Sequence, residues 1–159
     1  MEASFVERWH HKARECQPEL PPDRLIAYGG SLLPEVCAPC LSFRESEAPA
    51  RVFDVYSFPE DWTAEERAQL ASYTMIGQDG AGNPICVEDP SGTVVLFDHE
   101  DWFRTRQFVN SSVGQLAECL LAYMGEHDEA RFRSAVLAID SRAINERSFW
   151  SHEAAGLAP

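Results

Sequence analysis

The chain is poor in positively charged residues, and lysine is almost absent from it. Its 159 residues include 26 aspartates and glutamates against 13 lysines and arginines, and Lys12 is the single lysine. Proteins that bind nucleic acid neutralise phosphates with lysine and arginine, so a formal net charge of −13 argues against that class of partner. An acidic surface favours solubility and speeds association with a basic protein through long-range attraction.

Long apolar segments and a dense cysteine framework are also missing. No run approaches the ~18 apolar residues that a membrane span requires. Charged residues throughout the first eleven positions do not suit a signal peptide. The five cysteines are odd in number and scattered, which favours reduced thiols, and Cys86 and Cys119 fall within apolar patterns. We therefore expect a cytoplasmic protein with no membrane partner.

The composition is that of a folded globule. Hydrophobic residues make up 45% of the chain and aromatic residues 11%, which is enough to build a core at this length. Internal repeats, low-complexity segments and credible linkers are absent from the sequence. We expect a single domain over residues 1–159.

Alternating and short apolar segments, separated by turn-forming residues, predict a series of strands. Glycine-rich and proline-containing turns follow at 77–82 and 89–92, and an acidic corner lies at 98–101. The predicted strands are 25–28, 41–43, 51–56, 73–76, 83–88, 93–97 and 105–109.

Helical periodicity appears at both ends of the chain. Residues 2–16 carry an apolar stripe, and Asp128 is placed to cap a late helix. Capping-box patterns at Thr63–Glu66 and Ser112–Gln115 predict two further helices, the second ending near Gly125. The predicted fold is α+β: a twisted, mainly antiparallel sheet of about five to six strands, with an N-terminal helix and a C-terminal helical cluster.

Several short motifs follow one another in a recognisable order. They are a strand ending in Ile76-Gly77, the Ile85-Cys86-Val87 strand, a strand from Gly92 running into Asp98-His99-Glu100, and Val109-Asn110-Ser111-Ser112 before a helix. Over Thr74 to Tyr123 this order resembles the SUKH superfamily, especially its subfamily common in actinobacteria. Ser148-Phe149-Trp150 is similar to the late aromatic pair of that family, and Gly30-Ser-Leu-Leu-Pro34 stands where its members often carry Gly-Leu-Pro.

The resemblance implies a function in binding. SUKH proteins are mostly bacterial immunity proteins and are related to a yeast cell-wall-synthesis regulator. The implied function is a non-catalytic immunity protein that binds and neutralises a cognate toxin of a bacterial polymorphic toxin system, such as a nuclease or a deaminase. A toxin that degrades nucleic acid needs a basic cleft, which an acidic protein can occupy in place of the substrate.

Two acidic segments that contain tryptophan are the candidate partner-binding residues. Aromatic side chains among exposed carboxylates can anchor an interface with a basic partner, although tryptophan beside a turn also serves to cover the edge of a core. The candidates are Glu60, Asp61, Trp62, Asp98, Glu100, Asp101 and Trp102.

Two other functions remain open from the sequence. One is a cytosolic regulatory scaffold or protein-interaction module, and the other is a small hydrolase that uses His99 or Cys37. The spacing of Cys37 and Cys40 suits half of a zinc site, but the sequence supplies no second pair of ligands. We therefore expect no metal, no cofactor and no catalytic residue.

Overall fold

The computed structural model describes residues 1–21, 23–45, 50–56 and 61–157. This part of the chain forms an α+β fold, as the sequence predicts. Its elements in chain order are α1 (Phe5–Cys16), β1 (Leu25–Tyr28), β2 (Ser31–Pro34), β3 (Val36–Cys37), β4 (Leu41–Phe43), α2 (Val52–Val55), α3 (Ala64–Leu70), β5 (Tyr73–Gln78), β6 (Pro84–Glu88), β7 (Val94–Phe97), β8 (Arg106–Asn110), α4 (Val113–Tyr123), α5 (Glu129–Ile139) and α6 (Phe149–Ala155). A 3₁₀ turn at Ser141–Ala143 connects α5 to α6.

Six strands form one antiparallel sheet in the order β3-β4-β5-β6-β7-β8, and β1 pairs with β2 in a separate hairpin. Each strand of the large sheet pairs with its neighbour in sequence. Tight turns join β5 to β6 and β6 to β7, which lets consecutive strands pair directly. The predicted sheet of five to six strands is therefore confirmed, and β5 to β8 begin and end within about two residues of their predicted positions.

Strands β5 to β7 bury apolar side chains on both faces of the sheet, because successive residues of a strand alternate between faces. Ile76, Ile85 and Val94 belong to a first core with side chains from four helices: Trp9, Leu116, Leu120, Phe132 and Trp150. Met75, Cys86 and Val95 belong to a second core on the opposite face, with Val52, Trp62, Leu70 and Phe103. The sheet thus lies between a cluster of longer helices and a cover made of short elements.

A buried polar network ties the helices of the first core to β8. Asn110 is fully buried; its Oδ1 accepts the Trp150 indole N–H at 2.9 Å, and its Nδ2 donates to Asp140 at 3.2 Å. Asp140 also accepts the backbone N–H of Ser111 at 2.7 Å and its hydroxyl at 2.9 Å. A buried polar group is costly unless it is paired, so these bonds fix how β8, α5 and α6 meet.

The segment predicted as a strand at 51–56 is instead the short helix α2, so that prediction was wrong. The backbone N–H groups of Val55 and Tyr56 donate to the carbonyl oxygens of Arg51 and Val52, at 3.3 and 2.9 Å. Val52 is buried in the second core and Phe53 packs against the same core. Two adjacent side chains can share one face in a helical turn but not in a strand, and four residues are too few for periodicity to separate the two.

The predicted caps largely hold. Thr63 and Glu66 form the complete capping box at the start of α3, and Asp128 caps α5. Ser112 Oγ accepts the Gln115 backbone N–H at 3.2 Å, but the Gln115 side chain donates to the Ile139 carbonyl oxygen at 3.2 Å. Only half of the predicted capping box therefore forms at α4.

Gly77 allows β4 and β5 to approach each other closely. It pairs with Phe43, and a Cβ at this position would lie 2.2 Å from the Ser42 carbonyl oxygen. Backbone atoms cannot yield that much space without breaking the pairing. The glycine at the end of the Ile76-Gly77 motif is thus required by strand packing.

Replacing Gly77 with alanine should destabilise the protein by about 1–3 kcal/mol, the usual cost of overpacking. The matched control is Gly30→Ala, because no atom lies within 4 Å of a Cβ built at Gly30. The free energy of unfolding of Gly30→Ala should stay within about 0.5 kcal/mol of the wild-type value. Urea unfolding at constant slope measures both. Equal midpoints for the two variants would show that β4 and β5 separate without cost.

Candidate partner-binding groove

The two predicted tryptophan segments meet in space, although forty positions separate the tryptophans in sequence. The rings of Trp62 and Trp102 stack with centroids 4.5 Å apart and planes inclined by 29°. Phe103 packs on both rings, at 5.4 Å from Trp62 and 5.5 Å from Trp102. Glu60, another predicted partner-binding residue, lies outside the described residues.

Trp62 is positioned by the start of α3. Its indole N–H donates to the Tyr56 carbonyl oxygen at 2.9 Å, and the capping residue Thr63 follows it directly. The ring belongs to the second core and is 6% exposed, whereas Trp102 is partly exposed. Trp62 therefore supports the Trp102 ring from the side of the second core, and Trp102 is the ring that lies at the surface.

The loop between β7 and β8 is closed by hydrogen bonds to two of the predicted carboxylate residues. The Asp98 carbonyl oxygen accepts the Phe103 N–H at 2.8 Å, and its carboxylate accepts the Glu100 N–H at 2.8 Å. Asp101 accepts the backbone N–H groups of Arg104 and Thr105, at 2.9 and 3.0 Å, and the Thr105 hydroxyl. These two carboxylates hold the loop.

This loop carries two bulky residues in the left-handed backbone region. Trp102 has φ of 59° and Phe103 has φ of 62°. A non-glycine residue in that region costs on the order of 1–2 kcal/mol, and such strain concentrates at functional sites. Burial of Phe103 and the stack of Trp102 on Trp62 offset the cost. The result is an aromatic pair held in a conformation that an unconstrained loop would not adopt.

A groove of about 700 Å³ lies between α3 and this loop. The α3 side contributes Glu65, Glu66, Gln69 and Leu70. The loop side contributes Trp102, Phe103 and Arg104, and the sheet contributes Tyr73, Phe97 and Arg106. The aromatic pair thus borders a concave surface that also carries charges of both signs.

Some charged side chains in and around the groove make hydrogen bonds or ion pairs within the chain, and others make none. The pKa of Glu66 lies below its usual value because the carboxylate accepts the Thr63 N–H. Arg106 pairs with Glu88 at 3.2 Å and bonds the Tyr73 hydroxyl. The exposed charged side chains here that make no hydrogen bond or ion pair with the rest of the described chain are Asp61, Glu65, Glu100 and Arg104.

The residues considered for catalysis are engaged in other roles. His99 Nδ1 lies 2.6 Å from Asn83 Oδ1, and Asn83 Nδ2 donates to Asp79 at 3.1 Å, which joins this loop to the β5–β6 turn. In the described ranges no hydroxyl or thiol bonds the His99 ring. Burial raises the pKa of the Cys37 thiol to about 12, so Cys37 is a poor nucleophile at neutral pH.

No group of three or more histidine, cysteine, aspartate or glutamate side chains in the described ranges is placed to hold a metal ion. Within the same ranges, no helix is long and apolar enough to cross a membrane.

The sequence pattern predicts both tryptophan segments as partner-binding residues, but it does not indicate the other residues that line the groove. Glu65 and Arg104 were not singled out, although the Thr63–Glu66 cap placed Glu65 in an exposed first helical turn. No sequence signal indicated the positive φ values of Trp102 and Phe103. Of the predicted partner-binding carboxylates that are described, Asp61 and Glu100 point to solvent, while Asp98 and Asp101 are used within the loop.

The Asp101 carboxylate should make the stability of the protein depend on pH. Its pKa is lowered, mainly by the bond from the Thr105 hydroxyl, so its contribution is present above the unfolded pKa and lost as the pH falls through the folded value. Asp101→Asn should therefore be less stable than wild type near neutral pH, and the difference should shrink as the pH falls below about 3.9, the ordinary pKa of aspartate. Urea midpoints across pH measure it, with Asp54→Asn, an exposed site, as control. A difference that stays constant with pH would contradict this role.

A family model described as SUKH-4 immunity protein matches residues 20–155, which include both segments of the groove. No curated protein and no solved structure matches the chain. The family match covers most of the 159 residues, so the chain belongs to the SUKH-4 immunity protein family.

Proposed function

We propose that this SUKH-4 immunity protein binds a cognate toxin of a bacterial polymorphic toxin system and neutralises it by covering its functional surface. The family match over residues 20–155 is the observation that carries the proposal. In this proposal the toxin is a nuclease or a deaminase, and it is neutralised in the cytoplasm. The chain forms one domain over residues 1–159 and is a member of the subfamily common in actinobacteria. The proposal includes no catalytic step by this chain.

The groove between α3 and the β7–β8 loop is the proposed contact surface. Interface hot spots are enriched in tryptophan, and a ring fixed in place loses little entropy on binding. Trp102 is partly exposed, rests on the buried Trp62, and lies in a strained loop closed by Asp98 and Asp101. These features favour a preformed contact surface.

The charge of the chain supports a basic partner. A formal net charge of −13 attracts a basic protein over distances comparable to the Debye length, about 8 Å at physiological salt. Asp61 lies beside the groove residue Trp62 in sequence and Glu100 lies two residues before Trp102, so these exposed carboxylates form the proposed rim of the groove. Steering through them raises the association rate, while the aromatic pair limits dissociation.

The test uses toxin domains encoded beside the gene, each expressed alone and with this protein. We expect one of them to arrest growth and the wild-type protein to restore it. Trp102→Ala should weaken binding at least about 30-fold and cost only about 1 kcal/mol of stability, through the lost stack on Trp62. Trp62→Ala should instead cost about 3–5 kcal/mol of stability, because its ring is buried. Failure of every neighbouring toxin to be neutralised would contradict the proposed function.

Two matched double variants test whether the carboxylates near the groove speed association with the toxin. Asp61→Asn with Glu100→Gln removes two charges at the rim, and Glu2→Gln with Glu19→Gln removes two exposed charges from the N-terminal segment. At low salt the first pair should lower the association rate several-fold more than the second, with a smaller difference at high salt. Equal rates for both pairs would place the steering charges elsewhere.

A further inference from the structure

We propose that the groove accepts the guanidinium group of an arginine from the partner protein, between the Trp102 ring and the Glu65 carboxylate. The inference rests on the proposed function and names the chemistry that the partner brings to the same groove. Its two halves are an aromatic surface and an unpaired carboxylate.

The aromatic half is Trp102. Tryptophan is the best aromatic partner for a cation, and a planar guanidinium stacks on it better than an ammonium does. Trp62 fixes the Trp102 ring from one side at 4.5 Å, and the ring lines the groove. The ring is therefore fixed at a concave surface before a partner binds.

The carboxylate half is Glu65. Glu66 beside it is committed to the α3 cap, where it accepts the Thr63 N–H at 3.0 Å. Glu65 is exposed, lines the same groove, and has no hydrogen-bonding or ionic partner in the described ranges. A free carboxylate can receive two parallel N–H groups of a guanidinium, which is the strongest common form of this pair.

The chain already uses the same combination for its own arginines. Arg106 lies over the Tyr73 ring at 5.8 Å and pairs with Glu88, and Arg8 lies over the Phe5 ring at 5.7 Å and pairs with Glu118. Trp102 and Glu65 supply the same two chemical groups. Within the described residues, no arginine of this chain lies over the Trp102 ring.

The remaining charges favour a cation over an anion. Glu65 and Glu66 balance Arg104 and Arg106 within the groove, and Arg106 is further neutralised by Glu88. Four acidic residues lie within two positions of groove-lining residues in sequence and add negative charge to these segments: Asp61, Asp98, Glu100 and Asp101. Arg104 and, less strongly because of its pair with Glu88, Arg106 would attract an acidic side chain, which gives the test a clear competing outcome.

The test titrates the full-length protein with blocked Gly-Arg-Gly peptide and follows the four tryptophan indole N–H signals by NMR. We expect saturable shifts of the Trp102 and Trp62 signals, with the Trp9 and Trp150 signals unchanged. The citrulline peptide has the same shape without the charge and should bind at least about fivefold more weakly. The lysine peptide should fall between the two.

Substitutions at Glu65 and Trp102 test the carboxylate half and the aromatic half of the site separately. Glu65→Gln should weaken binding of the arginine peptide several-fold, and Glu19→Gln, which removes an exposed carboxylate elsewhere, should leave it unchanged. Trp102→Leu should abolish the shift of the Trp62 signal. Equal binding of the citrulline peptide, or binding of a Gly-Asp-Gly peptide in preference, would overturn the inference. The second result would assign the recognition to the groove arginines, Arg104 and Arg106.

The outcome is separable from that of the proposed function. If the toxin is neutralised through Trp102 but the arginine peptide fails to shift the groove signals, the groove binds its toxin by other contacts and only this inference fails. If the peptide binds as expected but no neighbouring toxin is neutralised, the groove recognises arginine and the immunity function fails.

Discussion

The fold depends on the burial of both faces of strands β5 to β7. Alternation along each strand sends Ile85 and Val87 to one face and Cys86 to the other, so neither face can be left to water. Four helices cover the first face, where the bonds of Asn110 to Asp140 and Trp150 fix their arrangement. In the described part of the chain, short helices and a loop cover the second face, and this asymmetry determines where the candidate site lies.

The elements that cover the second core, α3 and the β7–β8 loop, also form the proposed contact surface. Phe103 enters the core while Trp102, the residue before it, lines the groove, and the positive φ values of both residues make this division possible. Asp98 and Asp101 stabilise the strained loop through backbone hydrogen bonds. Binding residues are thereby held by the packing of the core, which reduces the entropy lost when a partner binds.

Local patterns in the sequence predicted most of the elements, because strand alternation, caps and turn residues act over a few neighbouring positions. They failed at α2, where four residues do not distinguish a strand from a helical turn, and for Gln115, whose side chain bonds Ile139 across the fold. The candidate segments around Trp62 and Trp102 were predicted separately. Their stacking arises from tertiary packing that no local pattern encodes. The bonds of Asp101 to Arg104 and Thr105 are local, but several backbone conformations fit that sequence, and the sequence did not select among them.

The central claim is that the groove between α3 and the β7–β8 loop binds the toxin. Hydrogen–deuterium exchange of this protein, free and bound to the toxin domain that it neutralises, tests the claim most directly. The account predicts that exchange slows on binding at residues 61–70 and 98–106, and stays unchanged along α1 and α5. Slower exchange confined to α1, α5 or the β1–β2 hairpin, with the groove segments unaffected, would contradict it.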